Sequence, residues 1–285
     1  MILSYSLFSP KINHSHIRTW DAFYFSDRYW VNIPAIIAIY KTILPDIQIV
    51  FYISENLRSH FLFPMMEDFQ KEGLCHINII NYDYKNTEPT FWRYIPVFEK
   101  QDDVVLCRDI DSIPTINEFH SLNHFLKSSK SISTIRSHTN HNSHGTILLA
   151  GLTTIKPHQI HMIDDVSSFE YFYNSHISGM WGTDQENIIS FFMKDKNWVQ
   201  TNFIDFRLPS NSHSNIASPI LPCEQHTIPY LKTPYTDITE WSGQPVDCRF
   251  DKLNNLFQNL NNAKLITTIL SIIQKNDNIK QFYTH

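Results

Sequence analysis

The chain has 285 residues, of which 42% are hydrophobic and 14% aromatic, enough to bury a sizeable core, while 18% charged residues is too few for a disordered polyelectrolyte. A formal charge of −5 supplies no basic footprint for nucleic acid, which excludes that class of partner from the reading. Four scattered cysteines without CxxC spacing, no leader-like N-terminus and no apolar run near the roughly 18 residues of a membrane span lead us to expect a soluble, cytoplasmic protein without a transmembrane segment.

The first half alternates strand-like with helix-like segments, as a mainly parallel sheet with covering helices does. Ile2–Phe8 predicts a strand, a helix follows around Tyr29–Ile43, Pro45-Asp46 marks a turn, and Ile47–Ser54 predicts the second strand. Ser59–Glu72 predicts a helix stopped by Gly73, and "CHINII" the third strand. A helix near Pro89–Lys100 then leads into a fourth strand at Asp103–Arg108.

The second half is less regular. Ser131–Arg136 and Thr146–Ala150 are short strand candidates, and Pro157–Tyr173 suggests a helix. Thr183 and Glu186 have capping-box spacing and open a further helix through about Met193. From Leu208 to Arg249 the chain is rich in Pro, Ser, His and Asn, as long loops are, and Asp251–Tyr283 carries apolar residues at helical spacing, as a terminal helix packed on the body would. One globular domain is expected, with a ligand-binding half over 1–112, a second half over 113–250 and a helical tail over 251–285.

The chemistry centres on "VVLCRDIDSIP" at Val104–Pro114, where an apolar strand runs into Arg108 and two carboxylates, Asp109 and Asp111. Acids at the carboxyl end of a strand in an open α/β sheet stand at the crevice where such folds bind ligands. A D-x-D pair suits a hard divalent cation, Mg²⁺ or Mn²⁺, that completes its shell with water and substrate phosphate. Such an ion would neutralise charge on a departing diphosphate. The plainer reading is that both acids shape a turn or cap the next helix. A third is a phosphatase-type DxDx[TV] nucleophile loop, in which Ile113 would stand at the Thr or Val position and the motif would come unusually late in the chain.

Taken with other segments, this one resembles the DxD glycosyltransferases of the GT-A fold, in particular small bacterial and viral sugar transferases linked to polysaccharide synthesis. The resemblance runs through "YSLF", "YWVNIPAIIAIYKTILPD", "VFYIS", "FWRYIPVFEKQDDVVLCRDIDS", "IRSHTNHNSHGTILLAGL", "WGTDQENII" and "EWSGQ", in that order along most of the chain. It departs at Ser137, where many members carry Asp, and at Leu152-Thr153-Thr154, where many carry Trp-Gly; both bear on the acceptor more than on the donor.

The resemblance implies a GT-A-like mixed, mainly parallel sheet flanked by helices, with a loop-rich C-terminal part. It also implies a nucleotide-diphosphate-sugar donor and a hydroxyl acceptor on a glycan, a lipid-linked sugar or a protein. Asp109 and Asp111 would hold the metal, with a third ligand from a C-terminal histidine, for which His213 and His226 are candidates. Ser6, Phe8, Arg93 and Arg108 would meet the donor, although strand packing accounts equally well for the first two, and Arg93 could instead pair with Asp102 or Asp103. Asp184, with Gln185 beside it, would take the proton of an attacking hydroxyl or orient the sugar, against the plainer reading that acids suit a helix's first turn. Arg136, His138 and His144 would line the sugar or acceptor pocket, and Trp181 and Trp241 could stack on sugars, where ordinary polar loop and buried Trp are the bland alternatives. Two further readings stay open: a metal-dependent phosphohydrolase or nucleotidyltransferase using the same acids, and an inactive nucleotide-sugar-binding module.

Overall fold

The computed structural model describes residues 1–8, 29–81, 88–99, 103–136, 148–159, 185, 188, 203–207 and 248–284. In chain order the strands are β1 (Ile2–Leu7), β2 (Gln48–Ser54), β3 (His76–Ile80), β4 (Val105–Arg108), β5 (Ile132–Arg136), β6 (Leu152–Ile155) and β7 (Phe203–Arg207). The helices are α1 (Ile33–Ile43), α2 (Phe63–Lys71), α3 (Ile95–Glu99), α4 (Ile116–Lys127), α5 (Phe250–Asn259), α6 (Ala263–Gln274) and α7 (Asp277–Thr284). The strands form one sheet in the order β3-β2-β1-β4-β6-β5-β7. It is a mixed, mostly parallel sheet: β1 pairs in parallel with β2 and β4, β2 with β3 and β5 with β7, while β6 runs antiparallel between β4 and β5.

Side-chain alternation divides the core in two. Leu3, Tyr5 and Leu7 of β1 and Leu106 of β4 face α1, α2 and the three C-terminal helices. Val105 and Cys107 face the other way, toward Phe91, Tyr94, Val97, Phe98, Leu148 and Ala150. Helix α1 is buried on nearly all sides because its Ile- and Ala-rich surface lies between the sheet and those C-terminal helices. Asn32 just before it accepts from the Cys248 amide at 3.1 Å, and the Tyr283 hydroxyl donates to the Trp30 carbonyl at 3.1 Å. The chain from 251 onward thus packs on the body, as expected, but as three helices, the second opened by the Asn262 side chain accepting from the Leu265 amide.

Several boundaries differ from expectation. The helix expected from Ser59 starts at Phe63, after a separate 3₁₀ turn at Glu55–Ser59, because Pro64 fits only a helix's first turn. The one expected near Pro89 is a 3₁₀ turn, Glu88–Tyr94, followed by α3, with Pro96 resetting the backbone in the same way. Gly73 stops α2 with φ at +70°, as a left-handed C-terminal residue does. Of the strand expected at Thr146–Ala150, the described residues Leu148–Ala150 are buried but not paired as a strand, and a turn at Ala150-Gly151 leads from them into β6. Of the expected Pro157–Tyr173 helix, the described residues show a 3₁₀ turn at Pro157–Gln159. Neither the bounds of α4 nor β7 were anticipated.

Cys75, Cys107 and Cys248 are buried free thiols; Cys223 lies outside the described residues. No helix among the described residues is long and apolar enough to cross a membrane.

Candidate functional site

Arg108 and Asp109 are neighbours in sequence and leave β4 on opposite faces, since Arg108 continues the Leu106 side and Asp109 the Cys107 side. Arg108 turns into the core. Its Nε donates to Glu118 Oε2 at 3.1 Å, its Nη1 to the Cys107 and Thr153 carbonyls at 3.0 and 2.7 Å, and its Nη2 to Thr154 Oγ1 at 3.1 Å. Both side chains of the Arg108–Glu118 pair are only 4% exposed. Glu118 also accepts from the Thr115 amide, completing the capping box that opens α4. At the far end of α4, the Lys156 ammonium donates to the Phe125 and Ser128 carbonyls at 3.0 and 2.6 Å, where a cation suits the helix dipole. The phenols of Tyr5 and Tyr40 share the Arg108 side of the sheet, and burial raises both. Arg108, expected to meet the donor, therefore fastens α4 to β4 and β6.

The Asp109 side is built differently. The 3₁₀ turn at Glu88–Tyr94 lies against the end of β1, where the Arg93 amide donates to Ser6 Oγ at 2.9 Å and Ser6 Oγ donates to the Thr90 carbonyl at 3.4 Å. The Cys107 thiol, pushed up to about 12 by burial against the pull of Arg93 and Arg108, donates to the Arg93 carbonyl at 3.5 Å. Arg93 is thereby pinned through its main chain, and its Nη1 donates to Asp109 Oδ1. Arg93 thus pairs with Asp109, while Asp103 holds the N-terminal amine of Met1 and Asp102 lies outside the described residues. Phe8, half-buried, stands edge-on to Trp92 at 6.5 Å between ring centres.

The other side of the Asp109 carboxylate rests on Gly151. A Cβ at that position would come within 3.0 Å of Asp109 Cγ, Oδ1 and Oδ2, so only glycine leaves room for the acid. The Asp109 amide donates to the Gly151 carbonyl at 3.3 Å, and the Tyr94 hydroxyl donates to the Ala150 carbonyl at 2.7 Å, fixing that turn. The Asp109 side chain remains 50% exposed. Ile110 turns into the core, Asp111 is half-buried beyond it, and Ser112 Oγ donates back to the Asp109 carbonyl at 3.3 Å.

Register across the sheet adds Arg136. Cys107 is opposite Thr153 and Thr153 opposite Thr134, so two residues further on Asp109, Gly151 and Arg136 leave the sheet in one row. Two strand spacings put the ends of β4 and β5 about 10 Å apart. Alternation sets Arg136, largely buried, on the same face as Ile132 and Asp109. The row continues to Arg207 of β7, opposite Arg136. Gln185 is helical and half-buried, and Ile188 one turn later is fully buried in the cluster that holds Tyr94, Cys107 and Ala150. That contact brings Gln185 and Ile188 to the Asp109 side of the sheet.

Ser6, Arg93, Asp109, Asp111, Arg136 and the Gln185 helix therefore share one side or one edge, and Arg108 does not. Asp184, His138, His144, His213, His226, Trp181 and Trp241 lie outside the described residues. No group of three or more metal-ligating side chains occurs among the described residues. Two carboxylates with the rest of the shell left to water and phosphate nonetheless fit Mg²⁺ or Mn²⁺. The glycine under Asp109 and the guanidinium on its Oδ1 fix where the carboxylate sits. Gly151 and Glu118 were missed as functional positions, although Gly151 closes an apolar run and Thr115-x-x-Glu118 is a legible capping box.

No family model matches the chain, and neither a curated protein nor a solved structure matches it.

Proposed function

We propose that the protein is a metal-dependent glycosyltransferase of the GT-A type, moving a sugar from a nucleotide-diphosphate donor to a hydroxyl acceptor. The observation that carries this reading is the cradled, half-exposed Asp109 with Asp111 beyond it, at the carboxyl end of a central parallel strand and beside β1. Asp109 and Asp111 would hold Mn²⁺ or Mg²⁺, which when bound neutralises the leaving diphosphate. Arg93, reaching the same carboxylate from below, would take a phosphate oxygen through its planar guanidinium. Arg136, in the same row, is a second cation suited to phosphate or to a polar sugar substituent. Asp184, one residue before Gln185 in sequence, would accept the proton of the attacking hydroxyl.

The test is thermal-shift binding of a panel of nucleoside diphosphates and nucleotide sugars, with and without Mn²⁺, on the native protein and on Asp111→Ala. A ligand that binds only the folded state raises Tm by an amount that grows with the logarithm of its concentration relative to Kd. Stabilisation by one nucleoside diphosphate, dependent on Mn²⁺ and lost in the variant, is the expected result. Silence across the panel would sink the proposal. Donor turnover without any acceptor, unaffected by Asp184→Asn, would move the assignment to a phosphohydrolase.

A further inference from the structure

We infer that Arg93 is an internal counter-ion exchanged on ligand binding, which makes the metal and the diphosphate bind as one unit rather than independently. The inference rests on the reading of Asp109 as a metal ligand and concerns how this chain controls that ligand. The Arg93 side chain is 5% exposed and its cation lies on Asp109 Oδ1. It cannot retreat as a whole, because its amide is held by Ser6 and its carbonyl by Cys107. Nor can Asp109 swing away on the other side without leaving the Gly151 cradle.

A divalent cation arriving alone therefore meets a carboxylate that is already neutralised, with a buried positive charge a few ångströms behind it. At that range and in partly desolvated surroundings, like charges repel by more than they would in bulk water. A diphosphate changes the balance. Its oxygens accept from the same guanidinium Nη1 that had donated to Asp109, so Arg93 transfers to phosphate and Asp109 is released to the metal. No covalent bond changes in this exchange. Each ligand removes the obstacle to the other, and linkage requires the two effects to be equal.

The experiment is equilibrium dialysis of the full chain against Mn²⁺ alone, inorganic pyrophosphate alone and both together at matched free Mn²⁺, repeated on Arg93→Gln, Arg93→Lys and Asp109→Asn. In the native protein pyrophosphate is expected to raise Mn²⁺ affinity by about tenfold or more, and Mn²⁺ to raise pyrophosphate affinity by the same factor. Arg93→Gln should bind Mn²⁺ alone about tenfold tighter than the native protein and lose most of the coupling. Arg93→Lys, which keeps the buried cation, should bind Mn²⁺ alone as weakly as the native protein does, which separates charge exchange from misfolding. If Arg93→Gln binds Mn²⁺ alone no tighter while native binding still requires Asp109, the exchange is refuted and the metal site stands. If the native protein retains neither ligand in any combination, the metal site falls and the inference falls with it.

Discussion

Two arginine–carboxylate pairs stand back to back at the end of β4, and they do opposite things. Arg108 and Glu118 are both sealed in the core, with the remaining Arg108 donors on carbonyls and a hydroxyl. Arg93 is just as buried, yet its partner Asp109 opens to solvent. A pair closed on both sides is fixed, because separating it strands a charge in the core. A pair with one solvated member is exchangeable, since water or a ligand can take over either half. One residue of strand alternation separates the fastening from the candidate chemistry.

The largest expected effect comes from opening the sealed pair. Glu118→Ala leaves the Arg108 cation buried without its counter-charge and removes the Glu118 half of the α4 capping box, so unfolding by denaturant should show a loss of about 3–5 kcal/mol. Comparable stability in this variant and the native protein would remove the distinction between the two pairs. Gly151→Ala forces a methyl group into the Asp109 carboxylate and should lower stability by about 1–3 kcal/mol. More telling, it should abolish any Mn²⁺-dependent thermal shift with a nucleoside diphosphate; a retained shift would show that the cradle does not matter. Asp109→Asn should change stability by no more than about 1 kcal/mol, as expected of a partly solvated pair, while losing the same ligand-induced shift.

The smallest effect concerns pH. Asp68 on α2 receives hydrogen bonds from Lys275 and Lys71, each at 3.2 Å. Burial alone would raise its carboxyl, but the two ammonium groups hold it below its usual value of 3.8. A lowered folded-state pKa means that this stabilisation is present above the ordinary carboxylate range and fades as pH falls below it. Asp68→Asn should therefore lower stability slightly at neutral pH, converge with the native protein as pH falls and so flatten the acid limb of the profile, as read by thermal melts from pH 7 to 3.

The first four strands were legible because each is an apolar run bounded by Pro, Gly or charge, and the parallel arrangement follows from the helices between them. Helix α4 is legible too, through Thr115-x-x-Glu118, but it was expected only as an unplaced helix that the acids before it could cap. Strand β7, "FIDFR", carries a period-two pattern over only five residues, too short to stand out beside the loop-like stretch that follows. The β6 shift arose because "TILLAGLTTI" offers two apolar pieces and composition does not say which one pairs. Of the site, the acidic strand end and Arg93 were visible; the division of labour between Arg93 and Arg108 was not. It depends on which face each residue takes and on a contact 16 residues apart, whereas sequence proximity favoured Asp102 and Asp103.

The hydrogen bond from Tyr283 to Trp30 spans 253 positions of sequence, and that from Cys248 to Asn32 spans 216. A chain made from its N-terminus releases β1 and α1 long before the helices that cover them. The C-terminal helices can cover the Ile-rich surface of α1 only after nearly the whole of this sequence has emerged, so the first helix among the described residues to emerge is among the last to receive this cover.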